Sequence, residues 1–109
     1  MDDGFEAYEA YRQGCALLES GDVQAAAIAL ERAKRLEPQK ASVREALGRA
    51  YMSARSYRRA AEEFSAAVTL DPTDHYAHFV LARCYERMGE RQAAKRHYTL
   101  ARCFGSSLA

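Results

Sequence analysis

With 109 residues and a formal net charge of +1, the chain has the length of one domain and no overall charge that favours nucleic acid. Ala, Arg, Glu, Leu and Lys make up 57 of the residues, a proportion typical of helical arrays, whereas Val, Ile and Thr number only eight. This composition excludes sheet-based folds, and the 49% of hydrophobic residues argues against disorder.

Neither a membrane span nor a secretory signal is predicted. The longest stretches without a charged residue, 23–30 and 75–82, are eight residues long, whereas a span needs about 20 apolar residues. The first residues contain no basic segment followed by an apolar run. Cys15, Cys84 and Cys103 are an odd number without paired spacing, which predicts free thiols. The expected location is the cytoplasm, with no membrane partner.

Six helical segments in three pairs are predicted in chain order. The first pair covers residues 7–19 and 23–36, the second 41–54 and 57–70, and the third 75–88 and 91–104. Gly21 and Gly89 are expected to end the first helix of the outer pairs in the left-handed conformation. Pro38 and Pro72 separate one pair from the next, because proline cannot continue a helix.

Side-chain caps are expected at the start of three of these segments. Asp22 is predicted to cap the second helix, Ser56 the fourth, and Thr73 or Asp74 the fifth. Each of these side chains has an oxygen that can accept a hydrogen bond from a free backbone N–H in the first turn.

The three pairs are copies of one 34-residue unit, because the chain aligns with itself when it is shifted by 34 residues. A small residue recurs at Gly14, Gly48 and Ala82, where a neighbouring helix must approach closely. A larger residue recurs at Leu30, Phe64 and Tyr98 and is expected to fill the space between repeats. Residues 1–109 are therefore predicted to be a single domain, with repeats at about 7–40, 41–74 and 75–107 and tails at 1–6 and 105–109.

The middle copy resembles the tetratricopeptide repeat family. The residues that carry the resemblance are Leu47, Gly48, Tyr51, Ala60, Phe64, Ala67 and Pro72. The outer copies depart from the pattern, since Gln13 replaces its leucine and Ala82 its glycine. The resemblance implies an all-α fold, a right-handed α-solenoid of three antiparallel helix pairs, and a non-enzymatic role in protein binding.

In that family, one face of the first helix of each repeat lines a concave groove, and the resemblance carries this role to matching positions here. The candidate partner-binding residues are Tyr8, Tyr11, Arg12, Cys15, Glu45, Arg49, Met52, Tyr76, Phe79, Arg83 and Arg87. Aromatic rings would supply apolar contact and arginines would pair with carboxylates, so a protein or peptide partner with acidic and apolar residues is expected. The alternative is that the tyrosines pack under a tail or loop and the arginines form a solvated face.

One known ligand of the family is not expected. Some tetratricopeptide domains hold the C-terminal carboxylate of heat-shock chaperones with a clamp of Lys and Asn side chains. The matching positions here are Tyr11, Cys15, Ala46, Tyr76 and Val80, none of which is Lys or Asn. The resemblance therefore implies no binding of such a tail.

A second hypothesis is a homo-oligomer that assembles head to tail. Residues 1–40 contain eight acidic and five basic residues, whereas residues 41–109 contain seven acidic and eleven basic residues. A basic stripe of Arg91, Lys95 and Arg102 occupies the side of the last helix on which a fourth repeat would stack, so the array is expected to end there. The acidic start, which is Asp2, Asp3, Glu6 and Glu9, is expected to meet this stripe on another copy.

No enzymatic chemistry is predicted. The sequence has no glycine-rich phosphate loop and no serine in a nucleophile-elbow context, so no catalytic residue and no cofactor are expected. His75 and His78 lie one turn apart but have no third ligand nearby, so a metal is not expected. Cys84 is expected in the core, and the pair Glu62 and Glu63 on a solvated face. The groove residues differ between copies and include acidic ones, so RNA binding is not expected either.

Overall fold

The computed structural model describes residues 3–105, which form six α-helices and no strand. The helices are α1 Asp3–Glu19, α2 Val23–Leu36, α3 Ala41–Ser53, α4 Tyr57–Leu70, α5 His75–Arg87 and α6 Arg91–Cys103. Each helix packs against the next one along the chain, and α1 also contacts α3, so the pairs stack into an α-solenoid. The predicted all-α fold of three helix pairs is confirmed. Asp2 and residues 106–109 lie outside the described residues.

The first helix begins earlier than predicted. Residues 3–6 were expected in a tail, but α1 already includes them. Asp3 and Glu6 lie in the first turn, where acidic side chains stabilise the positive end of the helix dipole. Glu6 also forms an ion pair with Arg32 of α2 at 3.7 Å.

The turn within each pair contains one residue in the left-handed region. Gly21 and Gly89 occupy it with φ of 87° and 79°, as predicted, and Arg55 occupies it in the middle repeat with φ of 61°. Asp22 and Asp74 accept hydrogen bonds from the N–H groups of the third residue after each, at 3.3 and 3.1 Å. These two predicted caps are confirmed. The prediction for Ser56 is wrong, because its side chain makes no capping hydrogen bond.

Close contact between the helices of one repeat explains the small residue of the 34-residue period. A Cβ atom on Gly14 would lie 2.4 Å from Cγ of Leu30, and one on Gly48 would lie 2.5 Å from Cε2 of Phe64. Leu30 and Phe64 are fully buried and belong to a core cluster that continues through all three repeats. The sequence prediction of a close approach at these glycines is confirmed.

A second pair of positions joins the two helices of each repeat. These positions hold Ala10 and Ala29 in the first repeat, Arg44 and Glu63 in the second, and His78 and His97 in the third. In the second repeat Nη1 of Arg44 donates to Oε1 of Glu63 at 3.1 Å, and in the third the two histidine Nδ1 atoms lie 3.0 Å apart. The same period therefore places an ionic contact in the second repeat and an aromatic contact in the third at equivalent positions, which in the first repeat hold two buried alanines.

Glu63 is a correction to the sequence analysis. It was expected on a solvated face with Glu62, but its side chain is only 8% exposed. Besides Arg44 it contacts Lys34 of α2, whose Nζ lies 3.0 Å from Oε2 of Glu63. Two cations compensate the buried carboxylate, and Glu62 alone faces water.

Candidate partner-binding groove

The centre of the candidate groove brings residues of α1, α3 and α5 together. Burial raises the pKa of Tyr11, and a hydrogen bond with Cys15 raises it further, while the charge of Arg49 lowers it. Burial also raises the pKa of Tyr76, and Arg49 again opposes this effect. Arg49 of α3 therefore lies within electrostatic range of a tyrosine on each side. We call Tyr11, Glu45, Arg49, Tyr76 and Arg83 the central groove.

Two aromatic side chains are exposed beside the central groove. Tyr8 is 56% and Tyr76 39% exposed, and both are among the large hydrophobic side chains that reach the surface. Tyr8 and Tyr11 border a cavity of about 110 Å³ that Ser42 and Val43 close from α3. Exposed rings next to a small cavity offer apolar contact area to a ligand.

A carboxyl pair lies at the edge of the central groove. Burial raises the pKa of Glu45 to about 8, and its hydrogen bond with Asp74 contributes to the rise. Burial acts in the same direction on Asp74, but the hydrogen bonds from Glu45 and from the backbone of Ala77 outweigh it and lower the pKa of Asp74. The two carboxyl groups thus share one proton near neutral pH, with Glu45 as donor and Asp74 as acceptor.

Asp74 is a groove residue that the sequence analysis recognised only as a helix cap. The 34-residue period identifies the positions equivalent to Asp74 in the other repeats. Lys40 and Glu6 occupy the equivalent positions in the other repeats. The tertiary contact with Glu45 could not be derived from that period without knowing how the repeats stack.

Four of the predicted groove residues make contacts away from the centre. The Sδ atom of Met52 accepts a hydrogen bond from Sγ of Cys84 at 3.3 Å, inside the joint between the second and third repeats. Phe79 packs edge-on against Tyr98 of α6, with ring centroids 5.7 Å apart. The other two are Arg87, whose Cζ lies 5.8 Å above the ring of Tyr57, and Arg12, which borders the outer face of α1 beside Arg32.

The predicted groove residues therefore fall into a central group and a group that lies elsewhere. The structure brings Tyr11, Glu45, Arg49, Tyr76 and Arg83 together, with Tyr8 and Cys15 next to them. Met52 and Phe79 are half-buried against the core, and Arg12 lies at the N-terminal end of the stack. Arg12 is exposed because it lies in the first repeat. The equivalent residues of the later repeats, Ala46 and Val80, are buried against the repeat before them.

The three cysteines occur as free thiols in different environments. Cys84 is fully buried, and burial raises the pKa of its thiol to about 11. Cys15 is half-buried in the groove next to Tyr11, and Cys103 is exposed at the end of α6. The predicted core position of Cys84 is confirmed.

Other kinds of site are not evident in the part of the chain that the structure describes. Residues 3–105 contain no cluster of three or more His, Cys, Asp or Glu side chains that could hold a metal ion. His78, which the sequence analysis paired with His75, instead contacts His97 and the carbonyl of Pro72 at 2.8 Å. None of the helices in this range is both long and apolar enough to cross a membrane.

Comparisons with known proteins agree with the repeat architecture. The profile of the tetratricopeptide repeat family matches residues 11–75 and 45–102, which together cover most of the chain. No curated protein matches the sequence at a significant level.

Several solved structures are similar in fold. A crystal structure of MamA is 27% identical with a TM-score of 0.87, and the match covers 91% of this chain and 58% of MamA. The CopN–Scc3 complex is 17% identical with a TM-score of 0.87, over 94% of this chain and 61% of that one. The second TPR of Spaghetti (RPAP3), bound to the HSP90 peptide SRMEEVD, is 17% identical with a TM-score of 0.87, over 91% and 92%. The chain thus spans less than two thirds of the first two relatives.

Proposed function

Because this chain belongs to the tetratricopeptide repeat family, we propose that it is a non-enzymatic interaction module that binds a segment of a partner protein along the central groove. The observation that carries the proposal is the exposed ring of Tyr76, which lies within electrostatic range of both Arg49 and Arg83. A stacked helical array uses such a face for partners, since its other faces are needed for packing. The free thiols fit a reducing compartment, so we propose the cytoplasm as its location.

The charge of the groove favours a partner segment with acidic residues. With a pKa of about 8, Glu45 is mostly protonated at neutral pH, so its pair with Asp74 carries one negative charge against the two positive charges of Arg49 and Arg83. Guanidinium groups bind carboxylates in a bidentate geometry, and Tyr8 and Tyr76 supply apolar surface beside them. The preferred ligand is therefore a peptide that alternates acidic and apolar side chains.

The fold similarities support a peptide ligand but not its identity. The RPAP3 domain was solved with a bound peptide, and CopN was solved with a protein partner. At 17% identity these similarities concern the fold. The positions that would form a carboxylate clamp lack Lys and Asn, so we propose that the ligand is not the chaperone tail.

The test is selection from a peptide display library with the wild-type protein, followed by titration calorimetry of the selected peptides. We expect enrichment of acidic and apolar residues. Replacing both central arginines, as Arg49→Glu with Arg83→Glu, should weaken binding by about tenfold or more, because like charges then face each other. The matched control is Arg35→Glu with Arg58→Glu, which reverses two exposed charges on second helices.

Two results would contradict the proposal. One is equal binding by the two double variants when circular dichroism shows that both are folded. The other concerns pH: binding to the wild type should weaken from about pH 7 to about pH 9 as Glu45 ionises, and Glu45→Gln should remove this dependence. An unchanged pH profile in Glu45→Gln would show that Glu45 has no part in binding.

A further inference from the structure

The outer face of α6 differs from the equivalent face of α4. Arg91, Lys95 and Arg102 are exposed on α6, where the period places Tyr57, Ala61 and Val68 on α4. Those three α4 residues are buried or half-buried under the third repeat. A depression of about 1050 Å³ extends over this face, with Phe79, Ala94 and Tyr98 among its lining residues; the three cations line it too, together with Glu86 and with Arg83 of the central groove. The end of the stack thus combines an apolar floor with a basic rim.

The outer face of α1 is more polar than the equivalent faces of α3 and α5. Glu9, Arg12 and Gln13 are exposed at positions where the second and third repeats bury apolar residues. Those buried equivalents are Val43, Ala46 and Leu47 in the second repeat and Ala77, Val80 and Leu81 in the third. Asp3, Glu6, Glu9 and Glu19 give α1 four acidic side chains against the single cation Arg12. Arg32 of α2 also borders this face and pairs with Glu6, so the surface at this end carries the acidic Glu9 and Glu19 together with Arg12 and Arg32.

The joint between the second and third repeats gives the register in which two such ends would meet. Phe64 of α4 contacts Tyr76 of α5 edge-on, with ring centroids 6.3 Å apart. Tyr57 of α4 carries the guanidinium of Arg87 over its ring at 5.8 Å. One repeat further along the chain, the residues equivalent to Phe64 and Tyr57 are Tyr98 and Arg91 of α6. Two repeats earlier, the residues equivalent to Tyr76 and Arg87 are Tyr8 and Glu19 of α1.

We propose that a second copy of this chain stacks on the outer face of α6 through its α1, in the register of the internal joints. Tyr8 of one copy then meets Tyr98 of the next, and Glu19 meets Arg91. The first internal joint, where Val43 packs with Ala33, adds a third contact. Its equivalent brings Glu9 next to Ala101, beside Arg102. An aromatic pair and two pairs of opposite charge coincide in one register, which is why a second copy fits this face.

The proposed contact is open and electrostatic. It joins two different surfaces, so each added copy leaves a free α1 at one end and a free α6 at the other, and the assembly grows as a linear stack. The first internal joint holds the apolar Val43, Ala46 and Leu47, whereas this contact has Glu9, Arg12 and Gln13 at the equivalent positions, opposite three cations. Its strength must therefore fall with salt. Because the contact shares Tyr8 with the proposed ligand site of the central groove, self-association is measured without a ligand.

Sedimentation velocity across protein concentration tests the proposal. The wild type should show concentration-dependent growth at about 0.01 M salt and lose it towards about 1 M, because the Debye length falls from about 30 Å to about 3 Å. Arg91→Glu alone and Glu19→Lys alone should each weaken self-association by about tenfold or more. A wild type that stays monomeric at every concentration in low salt overturns the proposal.

A charge-swap experiment tests the register itself. A chain with both Arg91→Glu and Glu19→Lys has complementary ends again and should assemble like the wild type. An equimolar mixture of the two single variants should also assemble, since each variant supplies the end that the other needs. Both sites are exposed, and Arg58→Glu on α4 is the matched control for a reversed surface arginine. Failure of both rescues, with all variants folded by circular dichroism, contradicts the register.

Discussion

At the scale of single residues, Gly48 shows how closely the helices of the middle repeat meet. Gly48→Ala would place its Cβ within 2.7 Å of two ring atoms of the fully buried Phe64. The clash exceeds the gain of about 1 kcal/mol in helix propensity, so we expect a net loss of about 1–2 kcal/mol in the free energy of unfolding. Urea denaturation measures it. The control is Ala82→Gly at the equivalent position, which should cost only about 0.5–1 kcal/mol.

Local physics allowed two of the three predicted helix caps to be found from sequence, whereas the one at Ser56 is wrong. Asp22 and Asp74 cap helices because their oxygens reach backbone N–H groups three residues away. The burial of Glu63 could not be predicted in this way, because its partners Lys34 and Arg44 lie 29 and 19 residues away in the chain. Two neighbouring glutamates look alike in the sequence, and only the stacking of helices distinguishes them.

At the scale of helices, Glu63 links three of them, since it lies on α4 and pairs with α2 and α3. Glu63→Gln removes one charge and leaves Arg44 without its carboxylate partner, whereas Lys34 keeps Glu31 at 3.2 Å. We expect a loss of about 2–3 kcal/mol in the free energy of unfolding, below the full cost of a buried unpaired charge, because both cations reach some water. Glu62→Gln, one residue away and exposed, should change it by less than about 0.5 kcal/mol. Equal effects of the two substitutions in urea denaturation would contradict this account.

The contact between α5 and α6 predicts a dependence of stability on pH. Burial lowers the pKa of His97 from its ordinary value of 6.5, and the charges of His78 and Arg96 act in the same direction. A histidine with a lowered pKa binds fewer protons in the folded state than in the unfolded state. Its contribution to stability is therefore complete above pH 6.5 and is lost as the pH falls towards the folded value.

The measurement is the free energy of unfolding at a series of pH values below and above neutrality. His97→Gln can still donate to Nδ1 of His78 but does not titrate, so we expect its stability to fall less on acidification than that of the wild type. His75→Gln, at an exposed position, should behave like the wild type. The same loss on acidification in the wild type and in His97→Gln would be inconsistent with the assignment.

At the scale of the whole molecule, the architecture was predictable because a 34-residue period determines both helices and their packing. Gly14, Gly48, Leu30 and Phe64 recur at that period, and each glycine packs against the large residue of its own repeat. The candidate groove was predictable only in its centre. Phe79 and Arg12 follow the same period, but they lie at the ends of the stack, where one neighbour is absent from the described residues. A periodic pattern identifies equivalent positions and cannot say how an end departs from them.

Because the three thiols lie in different environments, a fluorescent dye can be attached selectively to two cysteines of the natural sequence. Alkylating reagents attack the thiolate, so Cys84, with its pKa of about 11 and full burial, stays unmodified in the native state. A maleimide dye can then be attached at Cys103 on the far side and at Cys15 beside Tyr11 without engineering a new attachment point. The same dye labels both thiols, so Cys103→Ser confines it to Cys15, where its fluorescence will follow occupancy of the central groove.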